Sequence, residues 1–188
     1  MKKEIKKQIE KKNKKLINYN WIIKITLISF IISIIFSSFS ELIIPNVNIV
    51  IAILLLIIFI LIGIIFDMIG VAVTNADEAP FHSMSSRRVK ASKVAVKLKK
   101  NADKTSSFCN DVIGDICGIV SGAVGASISI TLSNLINVNQ FIVSLIITAL
   151  IASFTIGGKA IFKSIAINKS NEILYEFAKI LNLFKKNK

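Results

Sequence analysis

Residues 108–129 read FCNDVIGDICGIVSGAVGASIS, and this stretch decides how the whole chain is interpreted. It is apolar enough to cross a bilayer, yet it contains the amide Asn110 and two carboxylates, Asp111 and Asp115. A carboxylate at the centre of a membrane helix costs about 2.5 kcal/mol or more. The stretch therefore predicts an ion or proton site that is buried among packed helices.

Three glycines of the same stretch, Gly114, Gly118 and Gly122, recur every fourth residue. Small residues at that spacing line one face of a helix, where a second helix can approach closely. Asp111 and Asp115 are one turn apart and border this face. The pattern predicts a packing interface, either within the chain or across a homodimer.

The composition indicates an integral membrane protein. Of the 188 residues, 53% are hydrophobic, and they come in long blocks that a soluble domain of this size would not carry. The net charge of +13 is confined to 2–15, Lys24, 87–104 and 159–188, without the interleaved aromatic residues of a base-stacking surface. We therefore exclude nucleic acid as a partner and expect the basic segments to lie in the cytoplasm, against the lipid bilayer.

The apolar blocks predict an all-α protein with four transmembrane helices, at 21–44, 47–75, 107–135 and 141–162. The connections at 41–48 and 133–140 contain no Lys or Arg, so they belong outside. A multi-pass cell-membrane protein with both termini in the cytoplasm follows. A cleaved signal peptide is the competing interpretation of the first block, but its apolar part is too long for one.

Two further segments are amphipathic. Residues 83–105 predict a basic juxtamembrane helix on the cytoplasmic surface, with an apolar stripe that includes Ala91 and Ala95. Residues 170–188 predict a C-terminal amphipathic helix, which should lie along the inner surface or pack on the basic helix. The chain thus divides into a basic N-terminus at 1–20, an additional first helix at 21–44 and a larger membrane domain at 45–188.

A second polar face occurs on the helix predicted at 47–75, where Gly63, Asp67, Gly70 and Thr74 share one side. Such a face points toward protein or a water-filled cavity rather than lipid. Together with Lys159, Asp67 is expected near the same cytoplasmic edge as the other acids. Mg2+ takes oxygen ligands and keeps several waters, so one or two carboxylates suffice. The candidate metal ligands are Asp67, Asn75, Glu78, Asn110, Asp111 and Asp115.

Short segments between about 60 and 182 carry a resemblance to a known family. They are Glu78-Ala79 before Ser83-Met84-Ser85, Ala95-Val96-Lys97-Leu98 with Asn101, Cys109 with Ile113-Gly114-Asp115, and Gly158 through Ala166. In this order they resemble the transmembrane domain of the CNNM/CorB/CorC magnesium and cobalt transporters, without the CBS domains. The chain has Gly114-Asp115 where the family has Gly-Asn, and Gly158-Lys159 where it has Gly-Glu. The resemblance implies a dimer, a cavity open to the cytoplasm and divalent-cation handling.

Two functions follow from these patterns. The first is divalent-cation transport through an acidic cavity, with Mg2+ as a transported ion rather than a fixed cofactor. The alternative is a non-transporting scaffold or accessory subunit, in which Lys159 forms a buried ion pair with Asp111 or Asp115 and the basic helices recruit lipid or a separate cytoplasmic partner. An enzyme is not expected, because the only histidine, His82, has no evident Ser or Cys partner.

Overall fold

The computed structural model describes residues 19–43 and 47–186, and every regular element in these ranges is a helix. The predicted basic segment at 1–20 lies outside the described residues, except for its last two. In chain order the helices are α1 Tyr19–Ile43, α2 Ile49–Asn75, α3 Glu78–Ser86, α4 Ser92–Lys100, α5 Ala102–Ser107, a π-helical segment Phe108–Gly114, α6 Asp115–Ile136, α7 Gln140–Asn168 and α8 Ser170–Lys186.

Four of these stretches are long and apolar enough to cross a membrane, which confirms the predicted number of candidate spans. They are Tyr19–Ile43, Ile49–Asn75, Ala102–Ile136 and Gln140–Asn168. The third runs without a break through α5, the π-helical segment and α6. Asparagine side chains cap the N-termini of α2 and α7. Asn48 Oδ1 accepts a hydrogen bond from the N–H of Val50, and Asn139 Oδ1 accepts one from the N–H of Phe141.

Helix α2 lies at the centre of the bundle, in contact with α5, the π-helical segment, α6, α7 and α8. Its first half packs against α6 and forms an apolar core that includes Leu56, Phe59, Ile116, Val120 and Val124. Helix α1 instead contacts α6 and the π-helical segment from outside, and the large apolar side chains along it are mostly exposed. That exposure is what a lipid-facing helix requires.

A second core surrounds the other end of α2, where α3, α4 and α8 pack together. Phe81 and Leu174 are fully buried there. Long-range hydrogen bonds join the elements. Lys99 Nζ donates to the carbonyls of Thr74 at 2.9 Å and Val73 at 3.3 Å, the N–H of Asp77 donates to Asn171 Oδ1 at 2.8 Å, and Tyr175 OH donates to the carbonyl of Lys90 at 3.1 Å. The helices that do not span therefore form one packed unit with the end of α2.

The prediction of a single helix at 83–105 is wrong. Helix α3 begins at Glu78, with Pro80 in its first turn, where the missing proline N–H costs no hydrogen bond. The chain then turns through two residues in the left-handed conformation, Arg88 at φ 56° and Ala91 at φ 65°. Ala91 and Ala95 are buried in the second core beside α8, so the apolar side of α4 faces protein. Helix α8 packs against α4.

Of the three glycines predicted to pack against another helix, only Gly114 lies close to one among the described residues. In the part of the chain that the structure describes, a Cβ added at Gly118 or Gly122 would meet no atom within 4 Å, so these two glycines contact no other helix there. A Cβ at Gly114 would lie 3.8 Å from the carbonyl oxygen of Gly63, and one at Gly63 would lie 3.1 Å from Cys117 Cβ. The buried face of α6 instead combines apolar residues with small ones, namely Ile116, Cys117, Val120, Ser121, Val124, Gly125, Ile128, Ser129 and Ser133. An interface across a homodimer at Gly118 and Gly122 stays a prediction.

Candidate functional site

The polar part of the third span is a π-helix, Phe108–Gly114. In a π-helix the hydrogen bonds join residues five apart, and such segments are rare and frequently occur at functional sites. This one brings Asn110 against α2, whereas Asp111 lies beside α1. Two neighbouring residues that the sequence assigned to one site are therefore directed at different helices.

The Asn110 side chain lies where α2 has no side chain of its own. A Cβ added at Gly70 would overlap Asn110 Oδ1. Asn110 Nδ2 donates to Ser106 Oγ at 3.4 Å, while Oδ1 is buried and has no hydrogen-bond partner in the described part of the chain. A buried acceptor without a partner costs about 1–3 kcal/mol. Asn110 Oδ1 is therefore a buried acceptor whose hydrogen-bonding capacity is unused within the described residues.

Asp67 and Lys159 form an ion pair between α2 and α7. Lys159 Nζ lies 3.7 Å from Asp67 Oδ1, and the two side chains are 30% and 20% exposed, respectively. No ion pair joins Lys159 to Asp111 or Asp115 in residues 47–186. Asp67 precedes Gly70 by three residues on α2. The ion pair is therefore less than one helical turn from the contact between Gly70 and Asn110.

Asp111 and Asp115 are both exposed within the chain. Asp111 lines a cavity of about 360 Å³ between α1 and the junction of α5 with the π-helical segment. Asp115 is the first residue of α6 and lies on the side of Gly118. Among the residues that the structure describes, no group of three or more His, Cys, Asp or Glu could hold a metal ion. The six predicted ligands thus do not converge as one carboxylate cluster.

Asn75 and Glu78, the last two predicted ligands, lie at the exposed end of α2 and the start of α3. Asn75 Nδ2 donates to the carbonyl of Val71 at 2.8 Å. Glu78 Oε1 is 2.8 Å from His82 Nε2, and this hydrogen bond lowers the pKa of the Glu78 carboxyl, with smaller contributions from nearby lysines. Both residues therefore make local contacts at this turn.

Sequence reasoning found the polar face of α2 but not the partner of each residue on it. Gly63 meets Cys117, Gly70 meets Asn110 and Asp67 meets Lys159, so the face does point toward protein. Ser106 and Lys99 were not singled out. The only available signal for Ser106 was its position four residues before Asn110, which favours a contact on a helix.

Comparison with known proteins gives no match: no protein-family model, curated protein or solved structure is similar enough to this chain to be reported as a relative. The resemblance to the CNNM/CorB/CorC transporters therefore stays a prediction.

Proposed function

We propose that this chain is a membrane protein that binds and transports divalent cations at the π-helical segment, with Asn110 as a ligand. The observation that supports this is the buried Asn110 Oδ1, which accepts no hydrogen bond from the described residues. Amide oxygens are among the hard ligands that Mg2+ and Ca2+ prefer. Mg2+ in particular keeps several waters, so a site with few protein ligands is sufficient.

In this proposal Asp67 supplies the negative charge. It lies on the same helix as Gly70, less than one turn away, and its charge is offset by Lys159 at 3.7 Å. A divalent cation near Asp67 competes with the lysine ammonium for the carboxylate. Cation entry therefore displaces Lys159 from Asp67, and cation release restores the pair.

A second candidate function, a non-transporting scaffold or accessory subunit, is supported by the same ion pair. Here Lys159 permanently neutralises Asp67 and fastens α7 to α2, with no exchange of ions. The exposed basic residues around α4, among them Arg87, Arg88 and Lys93, then recruit anionic lipid or a separate cytoplasmic partner. The two proposals make opposite predictions for the removal of Lys159.

In both proposals the chain lies in the cell membrane with its basic segments in the cytoplasm, because Lys and Arg are retained on that side. The exposed face of α6, with Gly118 and Gly122, is the proposed surface of a homodimer. Small residues there let a second backbone come close, and close packing supplies the attraction that lipid does not.

The first experiment measures thermal unfolding of the detergent-solubilised protein against MgCl2 concentration. Binding to the folded state stabilises it by about 2.7 kcal/mol at one hundred times the dissociation constant. We expect this stabilisation in wild type and in the control variant Asn101→Leu. This control replaces an exposed amide that directly precedes α5. Asn110→Leu should lose this Mg2+-dependent stabilisation, whatever its melting temperature in the absence of Mg2+. Equal Mg2+ dependence in Asn110→Leu and wild type would contradict the cation site.

Lys159→Met separates the two functions. Under the cation proposal it removes a competitor, so the affinity for Mg2+ should rise. Under the scaffold proposal it leaves Asp67 unpaired and should lower the melting temperature whether or not Mg2+ is present. Uptake of Mg2+ into proteoliposomes, followed with an enclosed indicator dye, then distinguishes transport from binding alone. Binding of Mg2+ without uptake would contradict the transport proposal and favour the non-transporting scaffold.

A further inference from the structure

We propose that the cavity between α1 and the junction of α5 with the π-helical segment binds the headgroup of phosphatidylethanolamine. The cavity has a volume of about 360 Å³. Its polar lining consists of Thr26, Ser29, Ser107 and Asp111, and Trp21 forms part of its wall. The proposal depends on the hydrogen-bonding character of this lining, on its position in the span and on the charge of Lys104.

Two of the hydroxyl groups in the lining already donate their protons to backbone carbonyls. Thr26 Oγ1 donates to the carbonyl of Ile22 at 2.9 Å, and Ser29 Oγ donates to the carbonyl of Ile25 at 2.8 Å. Their oxygens can then only accept, and an ionised Asp111 carboxylate also only accepts. A ligand that complements these three acceptors brings N–H donors and a positive charge. A primary ammonium has three such donors, whereas the trimethylammonium of choline has none.

The apolar part of the cavity indicates a lipid rather than a soluble amine. Ile22, Ile25 and Val112 complete the wall, and α1 continues away from the cavity with large exposed apolar residues such as Phe30 and Ile31. Trp21 is the third residue of α1, at one end of a candidate span. Tryptophan rings prefer the headgroup level of a bilayer. The cavity therefore lies where a headgroup meets its acyl chains.

Lys104 supplies the complementary charge for a lipid phosphate. Its Nζ is 5.2 Å from the centre of the Trp21 ring, within cation–π range. Lys104 precedes Ser107 by less than one turn of α5, and Ser107 and Asp111 both line the cavity. A cation and an anion placed in this way match a zwitterion, with the phosphate at Lys104 and the ammonium at Asp111. Phosphatidylglycerol has no ammonium for Asp111.

This site is independent of the proposed cation site. Asn110 contacts α2, and Asp111 lines the cavity beside α1. Loss of Mg2+ binding in Asn110→Leu would therefore leave headgroup binding unchanged, and loss of headgroup binding would not affect the cation proposal.

The test uses the only tryptophan of the chain, Trp21, as a reporter within the cavity. Detergent-solubilised protein is titrated with short-chain phosphatidylethanolamine, phosphatidylcholine and phosphatidylglycerol while the tryptophan emission is recorded. We expect phosphatidylethanolamine to shift the emission and to bind about tenfold more tightly than phosphatidylcholine, the difference that one charge-assisted hydrogen bond makes. Equal affinities for these two lipids in wild type would overturn the proposal.

Variants then assign the preference to the carboxylate. Asp111→Asn keeps the size of the exposed side chain and should abolish the preference for phosphatidylethanolamine, whereas the control Asp103→Asn on α5 should retain it. Retention of the preference in Asp111→Asn, with an unchanged melting temperature, would contradict the site. Phosphoethanolamine, which lacks acyl chains, should bind far more weakly than the lipid; equal binding would identify a soluble amine as the ligand and overturn the lipid assignment.

Discussion

The amide of Asn110 occupies the position that a Cβ of Gly70 would need. This contact joins the π-helical segment to the central helix α2 and leaves Asn110 Oδ1 buried. A larger side chain at position 70 would overlap the Asn110 amide unless residue 110 also became smaller. The contact therefore determines both the separation of the two helices and the position of the proposed cation ligand.

Gly70→Ala should destabilise the protein by about 1–3 kcal/mol, the usual cost of overpacking a close contact. The measurement is thermal unfolding in detergent. Gly157→Ala on α7 is the matched control, because a Cβ there would meet no atom within 4 Å. In a helix, alanine at that position should be neutral or stabilising.

The double variant Gly70→Ala with Asn110→Ala tests the cause of that loss. If the overlap is responsible, removing the amide should recover much of the stability, so the two changes will not add. Strict additivity would show that the overlap between Gly70 and Asn110 does not determine the cost.

A leucine at Gly118 should have a different effect from one at Gly125, although both lie on α6. A Cβ at Gly125 would overlap the end of the Ile151 side chain, whereas one at Gly118 would meet no atom within 4 Å. Gly125→Leu should therefore lower the melting temperature of the chain. Gly118→Leu should not, but it should weaken a homodimer that uses this face.

Light scattering after size-exclusion chromatography measures the second effect. A wild-type dimer that persists in Gly118→Leu would place the dimer contact elsewhere, and a monomeric wild type would contradict the predicted homodimer in detergent.

Lys99→Met should cost about 1 kcal/mol of stability. The ammonium of Lys99 donates to the carbonyls of Thr74 and Val73, at 2.9 and 3.3 Å, at the end of α2. It satisfies carbonyls that have no partner within the helix and complements the negative end of the helix dipole. Lys93→Met, which changes an exposed lysine on the same helix α4, should cost much less. Equal losses would contradict the capping role.

The hydrogen bond between Glu78 and His82 predicts a pH dependence. It lowers the pKa of Glu78 below its usual value of 4.5, so folding favours the carboxylate. The resulting contribution to stability is fully present above pH 4.5 and is lost as the pH falls through the lower folded pKa. Carbon NMR of the Glu78 carboxyl should show its pKa rising toward the usual value in His82→Ala. An unchanged pKa would assign the shift to the nearby lysines instead.

Cysteine labelling in intact cells tests the proposed orientation. The native thiols Cys109 and Cys117 are buried and should react poorly. With an impermeant maleimide, Val138→Cys between α6 and α7 should label from outside, whereas Lys93→Cys on α4 should label only after permeabilisation. The reverse pattern would show that the basic segments lie outside.

The amino-acid sequence by itself determined that the protein is all-helical and has four candidate membrane spans. Blocks of isoleucine, leucine and valine are too long for a soluble domain, and a helix is the structure that satisfies the backbone of such a block in lipid. The predicted ends of the first two spans, at 44 and 75, lie within one residue of the last residues of α1 and α2. The 3.6-residue repeat also identified the polar face of α2 correctly, because α2 is a continuous α-helix.

Only the tertiary structure decided which polar residues meet. The same repeat, applied to 108–129, placed Asp111, Asp115 and the glycines on one face, but Phe108–Gly114 is a π-helix and changes the register between Asp111 and Asp115. The partner of Lys159 depended on which face of α7 lies against α2, and the break at 87–91 depended on packing of α4 against α8. Local propensity specifies none of these, because each follows from contacts between residues that are far apart in the chain.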